Sequence, residues 1–269
     1  MYKLIALDMD GTLLNEKKEI TKKTKEALKA ARERGVKVVI ATGRPIDGLK
    51  KYIDELDLNH DNEYVLSYNG CLVQEIKSKK IIHEVGLTGK DLHYIYDLSI
   101  NLGVNIHAFS ADKGLITPKL SKYTNVEADI NNIEAKVIDF STISEDENIV
   151  KIMLIDEEEV LDAAIKRLPK EAYEKYTIVK STPFFLEIIN KQGNKGVGLK
   201  ALGDHLNISR EEIIAVGDAG NDKEMIDYAG LGVAMENATE EIKKIANLIT
   251  ESNNNDGIAN IVERFIIND

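Results

Sequence analysis

Apolar residues in the first and last thirds of the chain occur in short runs that alternate with amphipathic stretches. Residues 3–7, 36–41 and 213–216 are largely apolar runs of this kind. Short continuous runs are typical of parallel strands that are buried on both faces. The stretch 21–34 carries apolar residues at helical spacing, with Thr21 as a candidate N-cap. This alternation predicts a parallel sheet that is covered by helices on both sides.

Further segments of the same two regions continue this pattern. A helix is predicted after Pro45, and Asn69-Gly70 is typical of the tight turn of a β-hairpin. The strands of that hairpin are predicted at residues 64–68 and 72–74. In the last part of the chain, helices are predicted at residues 195–206 and 222–229 and from about residues 238 and 258. Strands are predicted at residues 231–234 and 248–249.

The middle of the chain mixes strand-like and helix-like segments without the regular alternation. The predicted strands cover residues 105–109, 150–155, 176–179 and 184–189, and the predicted helices cover residues 91–102 and 157–168. A mixed order of this kind indicates an α+β domain rather than a continuation of the parallel sheet. We therefore expect an α/β core domain at residues 1–82 and 190–269, with an inserted α+β domain at residues 83–189.

Composition and charge narrow the class of protein. The chain has 269 residues, of which 43% are hydrophobic, so it is long enough to bury a sizeable core. A net charge of −11 argues against binding to a nucleic-acid backbone, which needs clustered lysine and arginine. No apolar run approaches the ~18 residues of a membrane span. The single cysteine, Cys71, fits a reducing compartment. We expect a cytoplasmic protein that binds neither nucleic acid nor membrane.

Polar residues follow directly after three of the predicted core strands. Asp8 and Asp10 follow the first strand, residues 42–44 follow the second, and Asp218 and Asp222 follow a later one. Because the carboxyl ends of parallel strands meet at one edge of a sheet, we expect these four aspartates to converge. So many carboxylates repel one another unless a cation lies between them, and Mg²⁺ prefers such oxygen ligands together with a phosphate. The sequence therefore predicts a magnesium site.

The neighbouring side chains suit phosphoryl transfer. A carboxylate can attack phosphorus to form an aspartyl-phosphate, and a second carboxylate nearby can protonate the leaving oxygen. The phosphoryl oxygens need hydrogen-bond donors and positive charge. Thr42 offers a hydroxyl group, Gly43 offers a backbone N–H and Lys195 offers an ammonium group. These residue types point to a reaction at a phosphate ester.

Four motifs at these positions resemble those of a known family. They are Asp8-x-Asp10-Gly11-Thr12, Thr42-Gly43-Arg44, Lys195-Gly196 and Gly217-Asp218-x-x-Asn221-Asp222. In this order they resemble the haloacid dehalogenase superfamily of phosphatases, in particular its Cof-type branch (subfamily IIB) of sugar phosphatases. The resemblance covers essentially the whole chain and is weakest in the middle. It implies a three-layer, Rossmann-like core with a parallel sheet and an inserted α+β cap domain that selects the substrate.

The resemblance also implies a role for each matching residue. Asp8 is expected to be the nucleophile and Asp10 the general acid and base. Asp8, Asp218 and the backbone carbonyl of Asp10 are expected to bind Mg²⁺. Asp222 is expected to support these ligands without binding the metal ion itself. The phosphoryl group and the substrate are expected to contact these residues: Thr42, Gly43, Arg44, Lys195 and Asn221. The implied activity is Mg²⁺-dependent hydrolysis of small phosphorylated metabolites, with sugar phosphates as the expected substrates.

Two alternatives remain open from the sequence. A phosphomutase would return the phosphoryl group to a second hydroxyl group, and a non-catalytic sensor would keep the site for binding a phosphorylated ligand. The core motifs do not separate hydrolysis from transfer. The identity of the substrate and the oligomeric state, monomer or homodimer, are also open. Asn69-Gly70 is interpreted as a hairpin turn that borders the site, and the 5 histidines show no metal-ligand spacing.

Overall fold

The computed structural model describes residues 1–268. The chain forms two compact units, each with its own sheet. The first, which we term the core unit, consists of Met1–Glu84 and the described residues from Asn194 onward. The second, which we term the inserted unit, is Val85–Gly193. The boundaries drawn from the sequence pattern fall after residues 82 and 189.

The described residues of the core unit form one sheet of eight strands. Strands are numbered in chain order through both units, and those of the core unit are β1 (Leu4–Asp8), β2 (Lys37–Ala41), β3 (Tyr64–Ser67), β4 (Leu72–Glu75), β5 (Ile81–Glu84), β13 (Ile213–Gly217), β14 (Leu231–Ala234) and β15 (Leu248–Ile249). They lie in the order β15-β14-β13-β1-β2-β3-β4-β5. Neighbours from β15 to β3 run parallel, and β4 and β5 add an antiparallel edge. The predicted parallel sheet is confirmed.

Helices cover both faces of this sheet. They are α1 (Lys22–Glu33), α2 (Lys50–Glu55), α7 (Lys195–Leu206), α8 (Lys223–Tyr228), α9 (Glu240–Ile245) and α10 (Gly257–Val262). Leu4, Ile5, Ala6 and Leu7 of β1 point alternately to the two faces, and all four are fully buried. α1 packs against α10, and α7 packs against α8. The three-layer core predicted from the sequence is therefore present.

Helix α1 begins and ends where the sequence predicts. Thr21 Oγ1 accepts the N–H of Thr24 at 3.2 Å, which satisfies one of the N–H groups at the start of the helix. Leu28 and Ala31 lie on the buried face of α1. After the helix, Gly35 adopts a left-handed φ of +83°, as a glycine following a helix commonly does. The chain then enters β2.

The inserted unit contains a second, mostly antiparallel sheet. Its strands are β6 (Leu87–Thr88), β7 (Asn105–Ser110), β8 (Gly114–Thr117), β9 (Lys136–Val137), β10 (Asn148–Ile155), β11 (Tyr176–Thr182) and β12 (Phe185–Asn190), and its helices are α3 (Gly89–Leu102), α4 (Lys122–Asn131), α5 (Glu158–Ile165) and α6 (Lys170–Lys175). The order is β11-β12-β10-β7-β8-β9, with β6 beside β10. Leu92 of α3, Ile152 of β10 and Leu161 of α5 belong to its hydrophobic core. No helix within residues 1–268 is long and apolar enough to cross a membrane.

Several elements of the inserted unit differ from the sequence-based prediction. The helix predicted to end at residue 168 ends at Ile165, and Pro169 precedes the separate helix α6. Helix α4 was not predicted, because Thr124, Glu127 and Asn131, which it buries, are polar and give no apolar stripe. The short strands β8 and β9 also lack a long apolar run. Tertiary contacts rather than local pattern define these elements.

Candidate active site

Three aspartates meet at the carboxyl edge of the core sheet. Asp8 is the last residue of β1, Asp218 follows β13, and Asp222 lies in the next turn. The two strands pair in register, with Leu7 beside Val216, so their ends lie side by side. One carboxylate oxygen from each aspartate lies within 4.8 Å of the other two. The structure thus brings together three of the four predicted aspartates in a group that could hold a metal ion.

Lys195 is the buried cation of this group. It is the first residue of α7, whose N-cap Asn194 accepts the N–H of Val197 at 2.9 Å. Lys195 Nζ donates to Asp8 Oδ1 and, at 2.6 Å, to Asp222 Oδ1. All three side chains are almost completely buried. The lysine that the sequence assigns to the phosphoryl group therefore also joins two of the aspartates.

Both carboxylate oxygens of Asp222 are hydrogen-bonded within the protein. Oδ1 accepts from Lys195, and Oδ2 accepts the backbone N–H groups of Asp218 and Ala219 at 2.9 and 3.0 Å. These bonds fix the loop that carries Asp218. A Cβ on Gly217 would lie 2.5 Å from Asp222 Cβ, so the close packing needs a glycine there. Asp222 therefore orients Lys195 and the loop that carries Asp218.

Two residues just after β1 shape the position of Asp218. Thr12 is buried, and its Oγ1 donates to Asp218 Oδ1 at 2.8 Å. Gly11 has a φ of +91°, and a Cβ at this position would overlap the Asp218 carboxylate. Asn237 Nδ2 donates to the carbonyl of Gly11 at 2.8 Å. Gly11 and Thr12 belong to the first motif, but their contacts with Asp218 do not follow from the sequence alone.

Asp10 lies outside the group of three aspartates and pairs with two basic side chains. Its carboxylate accepts from Arg44 Nε at 3.0 Å and Nη2 at 2.7 Å, and from Lys18 Nζ at 2.8 Å. Burial raises the pKa of Asp10, but the hydrogen bonds from Arg44 and Lys18 outweigh it and hold the pKa below its usual range. Arg44 therefore binds Asp10 in this structure, and Lys18 is a partner that no motif indicated.

The negative charge of the aspartate group exceeds the positive charge that the protein places beside it. Burial raises the pKa of Asp8 well above its ordinary value; Lys195 opposes this effect, and the charges of Asp222 and Asp218 add to it. Burial likewise raises the pKa of Asp218. Burial disfavours the charge of Lys195, yet Asp8 and Asp222 raise its pKa above the usual range. A hard divalent cation would offset this excess, since carboxylate oxygens are its preferred ligands.

The loop after β2 and the turn that carries Asn221 meet at Asn69. Thr42 is buried, and its Oγ1 accepts the N–H of Arg44 at 3.2 Å. The carbonyl of Thr42 accepts the N–H of Asn69 at 2.8 Å. Asn221 Nδ2 donates to Asn69 Oδ1 at 3.0 Å, and the carboxamide of Asn69 packs against Gly43. The predicted phosphoryl-binding residues Thr42, Gly43 and Asn221 are thus joined through Asn69, for which the sequence predicts a turn beside the site but no contact with these residues.

Comparison with known proteins settles the family. A sequence model of haloacid dehalogenase-like hydrolases matches residues 5–262, a range that contains all the residues of this site. The chain belongs to this family. The resemblance drawn from the four motifs is confirmed.

Several relatives within the family are phosphatases by name. The putative phosphatase YxeH of Bacillus subtilis is 42% identical over 99% of each chain. YitU of the same organism, named a 5-amino-6-(5-phospho-D-ribitylamino)uracil phosphatase, is 30% identical over 97% of each chain. A solved sugar phosphatase of subclass IIB has the same fold, with a TM-score of 0.78, 25% identity and coverage of 98% of each chain. The chain is accordingly an enzyme of the phosphoric monoester hydrolase class.

Proposed function

We propose that the protein is a Mg²⁺-dependent phosphatase that hydrolyses small phosphorylated metabolites, sugar phosphates first among them, through an aspartyl-phosphate on Asp8. The observation that carries the proposal is the environment of Asp8 at the end of β1. Lys195 pairs with one of its oxygens, and the carboxylate of Asp218 lies beside it. A carboxylate held between a fixed cation and a second carboxylate suits attack on a phosphoryl group beside a bound metal ion.

The residues present fit Mg²⁺. Asp8 and Asp218 offer carboxylate oxygens, and Asp10 offers a backbone carbonyl, which are the hard ligands that this ion prefers. When bound, the ion supplies positive charge that offsets the carboxylates and the oxygens of the phosphoryl group. The high pKa of Asp8, which burial and two neighbouring aspartates cause, supports a cation at this place.

In the first step, a carboxylate oxygen of Asp8 attacks phosphorus and the bond to the leaving oxygen breaks. Asp10 donates a proton to that oxygen, which departs as the alcohol. The hydroxyl group of Thr42, the N–H of Gly43 and the ammonium group of Lys195 bind the phosphoryl oxygens. These groups supply positioning and charge, which account for most of the catalysis of phosphoryl transfer.

In the second step, water attacks the phosphorus of the aspartyl-phosphate. Asp10, now without its proton, accepts a proton from the attacking water, and the bond from phosphorus to Asp8 breaks. Inorganic phosphate leaves, and both aspartates return to their starting state. A phosphomutase differs only in this step, because a second substrate hydroxyl group takes the place of water.

In this scheme, Arg44 couples substrate binding to the protonation of Asp10, the general acid. Asp10 must carry a proton to act as an acid, whereas its hydrogen bonds to Arg44 and Lys18 favour the ionised form. We propose that the phosphoryl oxygens attract the guanidinium group of Arg44, which binds phosphate and carboxylate with the same fork of donors. The pKa of Asp10 then rises, because it loses two hydrogen bonds, and the residue can be protonated.

The proposed substrate class rests on the relatives and on the inserted unit. YitU is named for a phosphorylated ribityl compound, and the subclass IIB neighbour is a sugar phosphatase. We propose that the inserted unit, Val85–Gly193, selects the substrate, as the family resemblance implies. The low cysteine content and the net charge of −11 support a cytoplasmic enzyme that acts on small molecules rather than on nucleic acid.

Phosphate release from a panel of sugar phosphates, polyol phosphates and an aryl phosphate tests this proposal. The assay is run with Mg²⁺ and with a chelator, and the products are identified by phosphorus NMR. We expect metal-dependent release of inorganic phosphate. Conversion of one sugar phosphate into its isomer would instead identify a mutase, and tight binding of a phosphate ester without turnover would identify a sensor.

A further inference from the structure

The turn between β3 and β4 has an unusual backbone. Tyr68, Asn69 and Gly70 are consecutive and have φ angles of +50°, +57° and +81°. Asparagine and glycine tolerate the left-handed region, whereas most residues avoid it. Conformations of this kind persist where the surroundings determine them, and they cluster at functional sites. A simple hairpin turn does not need three such residues.

The turn is bound to two loops of the active site through its backbone. The N–H of Asn69 donates to the carbonyl of Thr42 at 2.8 Å, and the N–H of Tyr68 donates to the carbonyl of Arg44 at 3.3 Å. On its other side, a Cβ on Gly70 would lie 2.5 Å from the carbonyl oxygen of Asn194, at the start of α7. The turn therefore packs tightly between the loop after β2 and the helix that carries Lys195.

The side chain of Asn69 reaches a third part of the site. Its Oδ1 accepts from Asn221 Nδ2 at 3.0 Å. The carboxamide also lies close to Gly43, where a Cβ would be 3.2 Å from Oδ1 and 3.3 Å from Nδ2. One side chain thus spans the distance between the loop at residues 42–44 and the turn that carries Asn221. Both of these segments are proposed to bind the phosphoryl group.

We propose that Asn69 is a positioning residue for phosphoryl transfer. Its carboxamide fixes the loop at residues 42–44 against Asn221, so that the donors of Thr42 and Gly43 are placed for the transition state. Asn69 itself needs no contact with the substrate. The inference rests on the proposed phosphatase function and adds a residue outside the four motifs. A loss confined to transition-state interactions lowers kcat more than it changes KM.

Asn69→Gly is the decisive variant. Glycine adopts the φ of +57° without strain, so the substitution removes the carboxamide and keeps the turn. Asn62→Gly is the matched control, because Asn62 also has a left-handed φ, of +61°, while its hydrogen bonds with Lys37 and Glu75 use only its backbone. We expect Asn69→Gly to lower kcat by about tenfold, with KM and the unfolding temperature close to those of the wild type. Asn62→Gly should behave like the wild type.

Two further measurements separate positioning from a purely structural role. Calorimetric binding of orthovanadate to the Mg²⁺-loaded protein should weaken by a similar factor in Asn69→Gly, because vanadate mimics the transferring phosphoryl group. In a double-mutant cycle, Asn69→Gly should have less effect in an Asn221→Ala background, since the bond between the two carboxamides is already absent there. Asn69→Asp keeps an acceptor for Asn221, so its kcat should lie closer to that of the wild type, while its added charge raises KM.

Several results would overturn the inference. Wild-type kcat in Asn69→Gly, full additivity with Asn221→Ala, or a kcat for Asn69→Asp below that of Asn69→Gly would each exclude a positioning role. A drop in the unfolding temperature that accounts for the lost activity would make the residue merely structural. If the wild type itself releases no phosphate, the proposed function fails and this inference fails with it. If the wild type is active and the Asn69 variants are equally active, only this inference fails.

Discussion

Lys195 Nζ lies 2.6 Å from Asp222 Oδ1, and neither side chain is exposed to solvent. The same ammonium group pairs with Asp8, so one lysine compensates two buried carboxylates. Asp222 in turn holds the backbone of Asp218. The charge of Lys195 therefore stabilises the folded site before any substrate is bound, in addition to its proposed contact with the phosphoryl group.

Replacement of Lys195 should destabilise the metal-free protein strongly. In Lys195→Met, Asp8 and Asp222 lose their buried cation, and breaking a buried ion pair from one side costs about 3–5 kcal/mol of unfolding free energy. Lys200→Met is the control, because Lys200 lies in the same helix and forms only an exposed pair with Asp204. That pair is worth at most about 1 kcal/mol.

Urea unfolding with a chelator and with Mg²⁺ measures this effect. We expect Mg²⁺ to restore part of the stability of Lys195→Met, since a divalent cation replaces the missing positive charge. Lys200→Met should show no such restoration beyond that of the wild type. Equal losses in the two variants would contradict the assigned role of Lys195.

Gly11→Ala should weaken binding of Mg²⁺. Gly11 has a left-handed φ, and a Cβ there would overlap the Asp218 carboxylate. Gly35→Ala is a matched control, because Gly35 is also left-handed, at φ +83°, but has nothing within 4 Å of a Cβ. Both variants carry backbone strain of about 1–2 kcal/mol. Isothermal calorimetry should show a higher Kd for Mg²⁺ in Gly11→Ala alone; an equal Kd in both variants would rule out the displacement of Asp218.

Thr12→Val should raise the Mg²⁺ requirement without unfolding the protein. The substitution keeps the shape of a buried side chain and removes the hydroxyl group that binds Asp218 at 2.8 Å. Loss of a group that orients a metal ligand typically costs about 10- to 100-fold in metal affinity or activity. Thr117→Val serves as the control, since Thr117 is equally buried but binds carbonyl groups of the inserted unit. Titration of activity with Mg²⁺ should shift for Thr12→Val only, and an unchanged midpoint would refute the contact's importance.

His107 should make the protein less stable in acid. It is fully buried in the inserted unit, with Nε2 3.1 Å from Met153 Sδ and with no hydrogen-bond partner for Nδ1 among the described residues. Burial, assisted by the charge of Lys151, lowers the pKa of His107 from 6.5 to about 3. Between about pH 3 and about pH 6.5, His107 is therefore protonated in the unfolded chain but not in the folded protein. Stability consequently falls as the pH decreases from about 6.5 to about 3.

His107→Phe should remove that part of the pH dependence. The full contribution of one such group is about 1.4 kcal/mol per pH unit within the window. Urea unfolding at a series of pH values gives the slope for the wild type, for His107→Phe and for the control His205→Phe, because His205 is exposed and a phenylalanine can keep its ring contact with Tyr64. We expect a shallower slope for His107→Phe and an unchanged one for His205→Phe. The same slope in all three proteins would be incompatible with a neutral, buried His107.

The parts of the structure that the sequence predicts are those set by local pattern. The apolar runs at β1, β2 and β13 and the polar residues after them are sufficient to place Asp8 and Asp218 at one edge of the sheet. The capped helix α1 follows from Thr21 and its apolar face for the same reason. The family follows from residue types at fixed positions in these loops.

Contacts between distant segments were not predictable in this way. Helix α4 buries polar residues such as Glu127, so its pattern resembles that of an exposed segment. The pairing of Asp10 with Lys18, and the bridge from Asn69 to Asn221 across 152 residues, depend on how loops meet after folding. A single sequence carries no periodic signal for such pairs.

The most direct test of the proposed mechanism is to trap the phosphorylated enzyme. An ester that carries the radiolabel in its phosphoryl group is mixed with the Mg²⁺-loaded protein, and the reaction is stopped with acid. Protein-bound label is counted in one portion; in a second portion, borohydride reduces any acyl phosphate to homoserine with release of the phosphate, and peptide mass spectrometry locates the homoserine. We expect bound label in the first portion and homoserine at position 8 in the second for the wild type, with neither label nor phosphate release in Asp8→Asn. Turnover without a labelled protein, label at another residue, or phosphate release by Asp8→Asn at the wild-type rate would contradict an aspartyl-phosphate on Asp8.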